Sequence, residues 1–249
     1  MIDYQKYVII GTARTGTTML WSYLNSHPEI LCLRGVFGAT QKINFGKYYD
    51  SLPDECFDVK LINQRNTQPV EFLEKYVFKN YQRDYKAVGL KYFYDHDKHL
   101  DDKNSLINYF IKNKDIKIIH VKRTNLLKTL YSYKRALNNK NWHGQEMNEF
   151  KIELSINECE IYFNEITKQQ QQFDALFKGR IFQVNYEKFI SKTSEILDDV
   201  QTFLGVSNQI QQNEIKQNVN RPLNQVILNF EKLKKHFNNT VYSQYFNLK

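Results

Sequence analysis

Tyr7-Val8-Ile9-Ile10-Gly11-Thr12-Ala13-Arg14-Thr15-Gly16-Thr17-Thr18-Met19-Leu20-Trp21 is the stretch that decides the fold. Residues 7–10 form an apolar run suited to a buried parallel strand, and residues 17–25 carry the pattern of a helix. Between them lies a tight loop bounded by Gly11 and Gly16. A helix start presents unpaired N–H groups and the positive end of the macrodipole. A glycine-rich turn feeding such a start is a cradle for phosphate or sulfate. The spacing of the two glycines is that of a Walker A loop, yet Thr17 stands where that motif has its lysine. Arg14 supplies a cation from inside the loop instead. The pattern points to an anion other than a nucleoside triphosphate tail; the bland alternative is a chance Gly-Thr turn.

Working outward, further strands are expected over residues 30–33, 87–93, 116–121 and 180–185. Helical patterns fall over 70–81, 102–113, 125–137, 148–177 and 192–204. Strands alternating with helices predict an α/β fold: a P-loop-like parallel sheet flanked by helices in three layers. Ligands bind such sheets outside the carboxyl ends of the strands. The loop at residues 11–18 lies at one such end, and Arg123 lies at another, after Ile118-Ile119-His120-Val121. Residues 35–69 and 138–149 lack periodicity and are expected to be irregular. The length, 249 residues, suits one domain spanning residues 1–249.

Apolar residues make up 41% of the chain and the formal charge is +8. A lysine-rich surface accounts for that charge; so does an electropositive cleft for a polyanionic ligand. The basic residues are spread along the sequence without a reader motif, so nucleic acid is not the expected partner. Cys32, Cys56 and Cys159 are far apart and odd in number, unlike a disulfide framework or a zinc pattern. No stretch has the length of a membrane span, and residues 1–6 lack a signal peptide's pattern. A cytoplasmic protein is expected, with peripheral membrane contact through basic residues left open.

At Arg14-Thr15-Gly16-Thr17-Thr18 the chain resembles the sulfotransferases that use 3′-phosphoadenosine 5′-phosphosulfate (PAPS), in particular the bacterial carbohydrate and glycolipid type. His27-Pro28-Glu29-Ile30 follows one helix later, as in many bacterial members; His27 itself is taken as structural. The resemblance implies that Arg14, Thr15, Gly16, Thr17 and Thr18 hold the 5′-phosphosulfate. It also implies that Arg123 and Ser132 bind the 3′-phosphate, with Lys122 available to share the role. Here those two are nine residues apart, where the family commonly has eight. Tyr186, in Val184-Asn185-Tyr186-Glu187, matches a family tyrosine near the adenine; packing into the core is the competing role. Arg221, before Pro222-Leu223, matches a tail arginine that closes over the nucleotide, and it equally suits a carboxylate partner. The 196–206 segment, ending in Phe203-Leu204-Gly205-Val206, is read as a structural helix with Gly205 at its end.

Sulfuryl transfer is expected to follow phosphoryl transfer in passing through a loose, in-line transition state stabilised by positioning and positive charge. Arg14 is therefore a catalytic candidate as well as a binding one, and no metal is required. A hydroxyl acceptor needs a general base. Some bacterial relatives carry Gly-Glu where this chain has Arg34-Gly35, so either the base has moved or the activity is altered. Gly89-Leu90-Lys91-Tyr92-Phe93-Tyr94-Asp95-His96 matches a lysine-bearing family strand. His96 is the preferred base because imidazole titrates near neutral pH. Asp95 would orient it or replace it, and Lys91 is a candidate active-site cation. A surface histidine in a polar turn is the plain alternative. Trp142 and His143 are candidates to stack on an acceptor sugar. Two other functions stay open: a small-molecule P-loop kinase, and a PAPS- or nucleotide-binding protein without catalysis.

Overall fold

A computed structural model describes residues 3–139, 150–210 and 221–247. The first strand, β1 (Gln5–Gly11), sets the architecture. Successive side chains of a strand face opposite sides. Val8 and Ile10 enter one apolar cluster and Tyr7 and Ile9 another, all four fully buried. A strand apolar on both faces must be covered on both, which is the condition of a parallel sheet between helical layers.

The expected strands form with small shifts of their ends: β2 (Ile30–Leu33), then β5 (Ala87–Phe93), β6 (Lys117–Lys122) and β7 (Ile181–Asn185). They make one five-stranded sheet in the order β2-β5-β1-β6-β7, every pair parallel. After β1 the chain runs out to the edge at β2, returns beside β1 as β5, and then crosses to β6 on its other side. The order therefore reverses at β1, and the crevice beyond its carboxyl end is the place where such sheets bind ligands. Helix α1 (Thr17–Asn25) and α8 (Thr193–Leu204) cover the face of Tyr7 and Ile9. α3 (Pro69–Tyr76) and α4 (Ser105–Lys112) cover the other. The architecture is the expected α/β three-layer fold.

The sequence expectation fails at residues 35–69, which are not irregular. A short antiparallel pair, β3 (Ile43–Asn44) with β4 (Glu55–Cys56), is followed by α2 (Val59–Thr67). Two-residue strands carry no readable alternation, and α2 is polar over most of its length. Its stop and start are local: the Asp58 carboxylate accepts from Leu61 N at 3.0 Å, an N-cap that stabilises the first turn. Arg65, 1% exposed, donates to the carbonyls of Val36, Thr40 and Lys42 and so holds the preceding loop.

Helix α5 (Leu126–Asn138), α6 (Ile156–Leu176), α9 (Leu223–Val226) and α10 (Phe230–Phe237) share a third apolar cluster beside the sheet. α6 starts later than its pattern suggests because Ser155 caps it, its hydroxyl accepting from Glu158 N. Short α7 (Tyr186–Ser191) follows β7 directly, with Asn185 as its cap. Among the described residues no helix is long and apolar enough to cross a membrane.

Candidate active site

The loop between β1 and α1 is built for close approach. Gly16 caps α1 with φ +93°, a conformation that side chains disfavour. A Cβ there would sit 2.4 Å from Cδ2 of Tyr186, so the tyrosine ring lies directly on the glycine. Arg14 also occupies the left-handed region, at φ +68°. A non-glycine residue held there is strained, and such strain concentrates at ligand clamps. The buried Thr15 hydroxyl donates to Thr12 O at 2.7 Å and closes the turn.

The loop rests on a polar brace. Tyr94, after β5, donates its N–H to Gly11 O at 3.1 Å. Its hydroxyl lies 2.5 Å from Nε2 of the fully buried His120, whose Nδ1 lies 2.8 Å from Asp174 on α6. Burial outweighs the carboxylate here and pushes the His120 imidazole down to about 4. On the opposite side His27 is structural, as expected: its Nδ1 accepts from Glu29 N and its Nε2 meets Ser207 O at 2.8 Å.

On the β6 side, guanidinium groups gather. Arg14 Nε donates to Ser132 Oγ at 3.0 Å, joining the loop to α5. Arg123, 6% exposed, donates Nη1 to Arg14 O at 3.4 Å and stacks its guanidinium 4.7 Å from the centre of the Tyr186 ring. Glu187 stands 3.8 Å from Arg123 Nε and also accepts from the N–H groups of Thr124 and Asn125, at the start of α5. Arg123 Nε is buried with no hydrogen-bond partner. Burial, then Arg135 and Arg123, depress the Arg14 pKa. Four residues singled out in the sequence, Arg14, Ser132, Arg123 and Tyr186, thus meet at one place with Gly16. Arg135 was missed; its position one turn after Ser132 on α5 was the available signal.

On the β5 side the cation is an amine. Lys91 is buried and donates Nζ to Thr18 Oγ1 at 2.9 Å. Burial first, then the charges of Arg34 and Arg14, push it down to about 7. Arg34, at the end of β2, stacks 5.1 Å from the Trp21 ring and was not anticipated in this role. His96 lies in a 3₁₀ turn just past β5, against the Tyr92 and Phe93 rings. The surface alternative fails: His96 is 7% exposed. Burial, with Lys91, His99 and Arg65 adding, pushes its imidazole down to about 3, and its Nδ1 has no hydrogen-bond partner.

Two further expected residues lie at the surface. Asp95 is exposed. Arg221 is exposed, two residues ahead of α9. Trp142 and His143 lie outside the described residues. Among the described residues no cluster of three or more His, Cys, Asp or Glu side chains has metal-binding geometry.

A parallel sheet whose central strand ends in a glycine-bounded, arginine-bearing loop defines the P-loop-like class of α/β proteins. Within that class the chain belongs to the sulfotransferase family, whose model matches residues 7–209. Nodulation protein H of Rhizobium tropici is 26% identical over 98% of this chain and 94% of its own length. Nodulation protein H of Rhizobium meliloti (strain 1021) is also 26% identical, over 98% and 96%. Among solved structures, a sulfotransferase from Alicyclobacillus acidocaldarius superposes with a TM-score of 0.55 at 16% identity, covering 94% of this chain and 91% of that one. The chain is a transferase that moves sulfuryl groups, and the kinase reading gives way to it.

Proposed function

We propose that this single-domain enzyme transfers the sulfuryl group of PAPS to a hydroxyl of a carbohydrate or glycolipid acceptor in the cytoplasm. The observation that carries the donor reading is the joint placement of Gly16, Tyr186, Arg14, Arg123 and Ser132. The residues fit such a donor: the glycine leaves backbone N–H groups approachable, and Arg123 holds a buried N–H that meets no acceptor. An unmet buried donor is costly, and a phosphate oxygen would relieve it. The carbohydrate acceptor is inferred from the bacterial-type motifs, supported by full-length likeness to the nodulation proteins. Three buried free cysteines are compatible with a reducing compartment.

PAPS supplies an activated sulfuryl group on a phosphate leaving group. The backbone N–H groups of Thr15, Gly16, Thr17 and Thr18, with the hydroxyls of Thr17 and Thr18, hold the phosphosulfate. Arg123 and Ser132 hold the 3′-phosphate, Tyr186 faces the adenine, and Arg221 closes over the nucleotide. Arg14 cannot release its proton at neutral pH, so it acts as a fixed positive charge. Lys91 is poised differently, its amine held down to about 7, chiefly by burial. An arriving anion favours its ammonium form, which then stabilises negative charge at the loop beside Thr18. His96 does not titrate near neutral pH as its residue type suggested; burial keeps its ring neutral, and in that form it takes the acceptor proton as the proton is released. The donor's negative charge offsets part of the like-charge pressure that Lys91 and Arg65 put on that ring. Asp95 is the alternative proton acceptor from the exposed side of the same turn.

The test is transfer of labelled sulfate from PAPS to a panel of glycans and glycolipids. Transfer to at least one member is expected, lost in Arg14→Ala. A folded enzyme that binds the desulfated product, adenosine 3′,5′-bisphosphate, yet transfers to no member would overturn the acceptor class and leave the donor assignment standing.

A further inference from the structure

Arg135 stands outside the roles assigned above. It lies on α5 three residues after Ser132, and positions so spaced share one side of a helix. Ser132 is fastened to the phosphate loop by Arg14 Nε at 3.0 Å, and Arg123 reaches the same loop at Arg14 O. Arg135 is close enough to both that its charge depresses the pKa of Arg14 and of Arg123. Its guanidinium lies over the Tyr131 ring at 5.7 Å. The Nε atoms of Arg123 and Arg135 are both buried, and neither has a hydrogen-bond partner. The carboxylate beside Arg123, Glu187, is shared with the amides of Thr124 and Asn125. Like charges gathered in a partly buried place, with N–H groups unmet, are the makings of a site for a phosphate monoester. Guanidinium groups match its oxygens through planar paired N–H donors.

We propose that Arg135 is a further guanidinium of the pocket formed by Arg123 and Ser132, and that it selects nucleotides carrying a 3′-phosphate over those lacking one. The inference rests on the donor reading above and extends it to a residue that neither the motifs nor the family pattern marked. Arg135 also repels Arg14 when no anion is present, so the pocket is set to gain on binding.

Calorimetric titration with two probes tests it: adenosine 3′,5′-bisphosphate and adenosine 5′-monophosphate, which lacks the 3′-phosphate. In Arg135→Gln the bisphosphate is expected to bind about ten- to hundredfold more weakly, the usual worth of a charge-assisted bond. The monophosphate should change less than about threefold, and Arg135→Lys should recover part of the loss. Equal affinity of wild type and Arg135→Gln for the bisphosphate overturns the inference, as does an equal loss for both probes. Wild-type protein that binds neither probe refutes the donor reading itself, a result distinct from either of those.

Discussion

The two strands beside β1 end in different chemistry. β6 leads to Arg123, which joins Arg14 and Arg135 around Ser132 and has a carboxylate at hand in Glu187. β5 leads to Lys91 and His96, both buried and both pushed down by burial and neighbouring cations. Guanidinium groups keep their charge across the working pH range, so the β6 side offers a grip that pH does not loosen. An amine near 7 gains or loses its proton with the charge that arrives, while an imidazole near 3 stays neutral and open to a proton. Under the proposed function, constant recognition falls on one side of the loop and the chemistry of transfer on the other.

The loop common to both sides is the first place to break the arrangement. Gly16→Ala forces a Cβ into Tyr186 at 2.4 Å and removes the residue suited to φ +93°. Affinity for adenosine 3′,5′-bisphosphate should fall more than about a hundredfold, since strain alone is worth roughly 1–3 kcal/mol and the clash adds to it; calorimetry reads the loss. Next comes the responsive side. Lys91→Met should lower the rate of sulfate transfer about a hundredfold or more while the protein stays folded, as removal of one oriented charge donor typically does.

The same variant sharpens the comparison through pH. Lys91 sits near 7 in the free enzyme, and an anionic ligand favours its protonated form. Wild-type affinity for the bisphosphate is therefore greatest below pH 7 and declines as pH rises through it. Titrations between pH 6 and 9 should show that decline in wild type and not in Lys91→Met. A matching decline in the variant would mean that the β5 side does not sense the donor.

On the constant side, Arg123→Gln should weaken bisphosphate binding about ten- to hundredfold with no change in the shape of the pH profile. The smallest effect is expected at Ser132→Ala, about two- to tenfold, since the hydroxyl contributes one hydrogen bond and no charge of its own. Equilibrium dialysis of both variants checks the order. Should Ser132→Ala exceed Arg123→Gln, the serine, rather than the arginine, organises the pocket.

Much of this was legible in the chain. The β-branched and apolar runs at 7–10, 30–33 and 87–93 carry their strands because burial on both faces leaves no polar alternation. The loop from Gly11 to Thr18 was legible because close backbone approach demands glycine at fixed offsets. The region 35–69 was not, since its strands are two residues long and α2 depends on a single cap and on buried Arg65. His96 shows the opposite limit. Its setting in Asp95-His96-Asp97-Lys98-His99 is polar by sequence, yet the turn buries its ring against Tyr92 and Phe93.

Local chemistry, then, was enough to specify an anion-binding turn on a parallel α/β sheet, because backbone geometry and strand burial are written in neighbouring residues. Which cations share the site was decided only by folding. Arg14 meets Ser132 across 118 positions of chain, and Lys91 meets Thr18 across 73. Electrostatic effects follow distance in space and the amount of water excluded, and neither quantity is set by spacing along the chain.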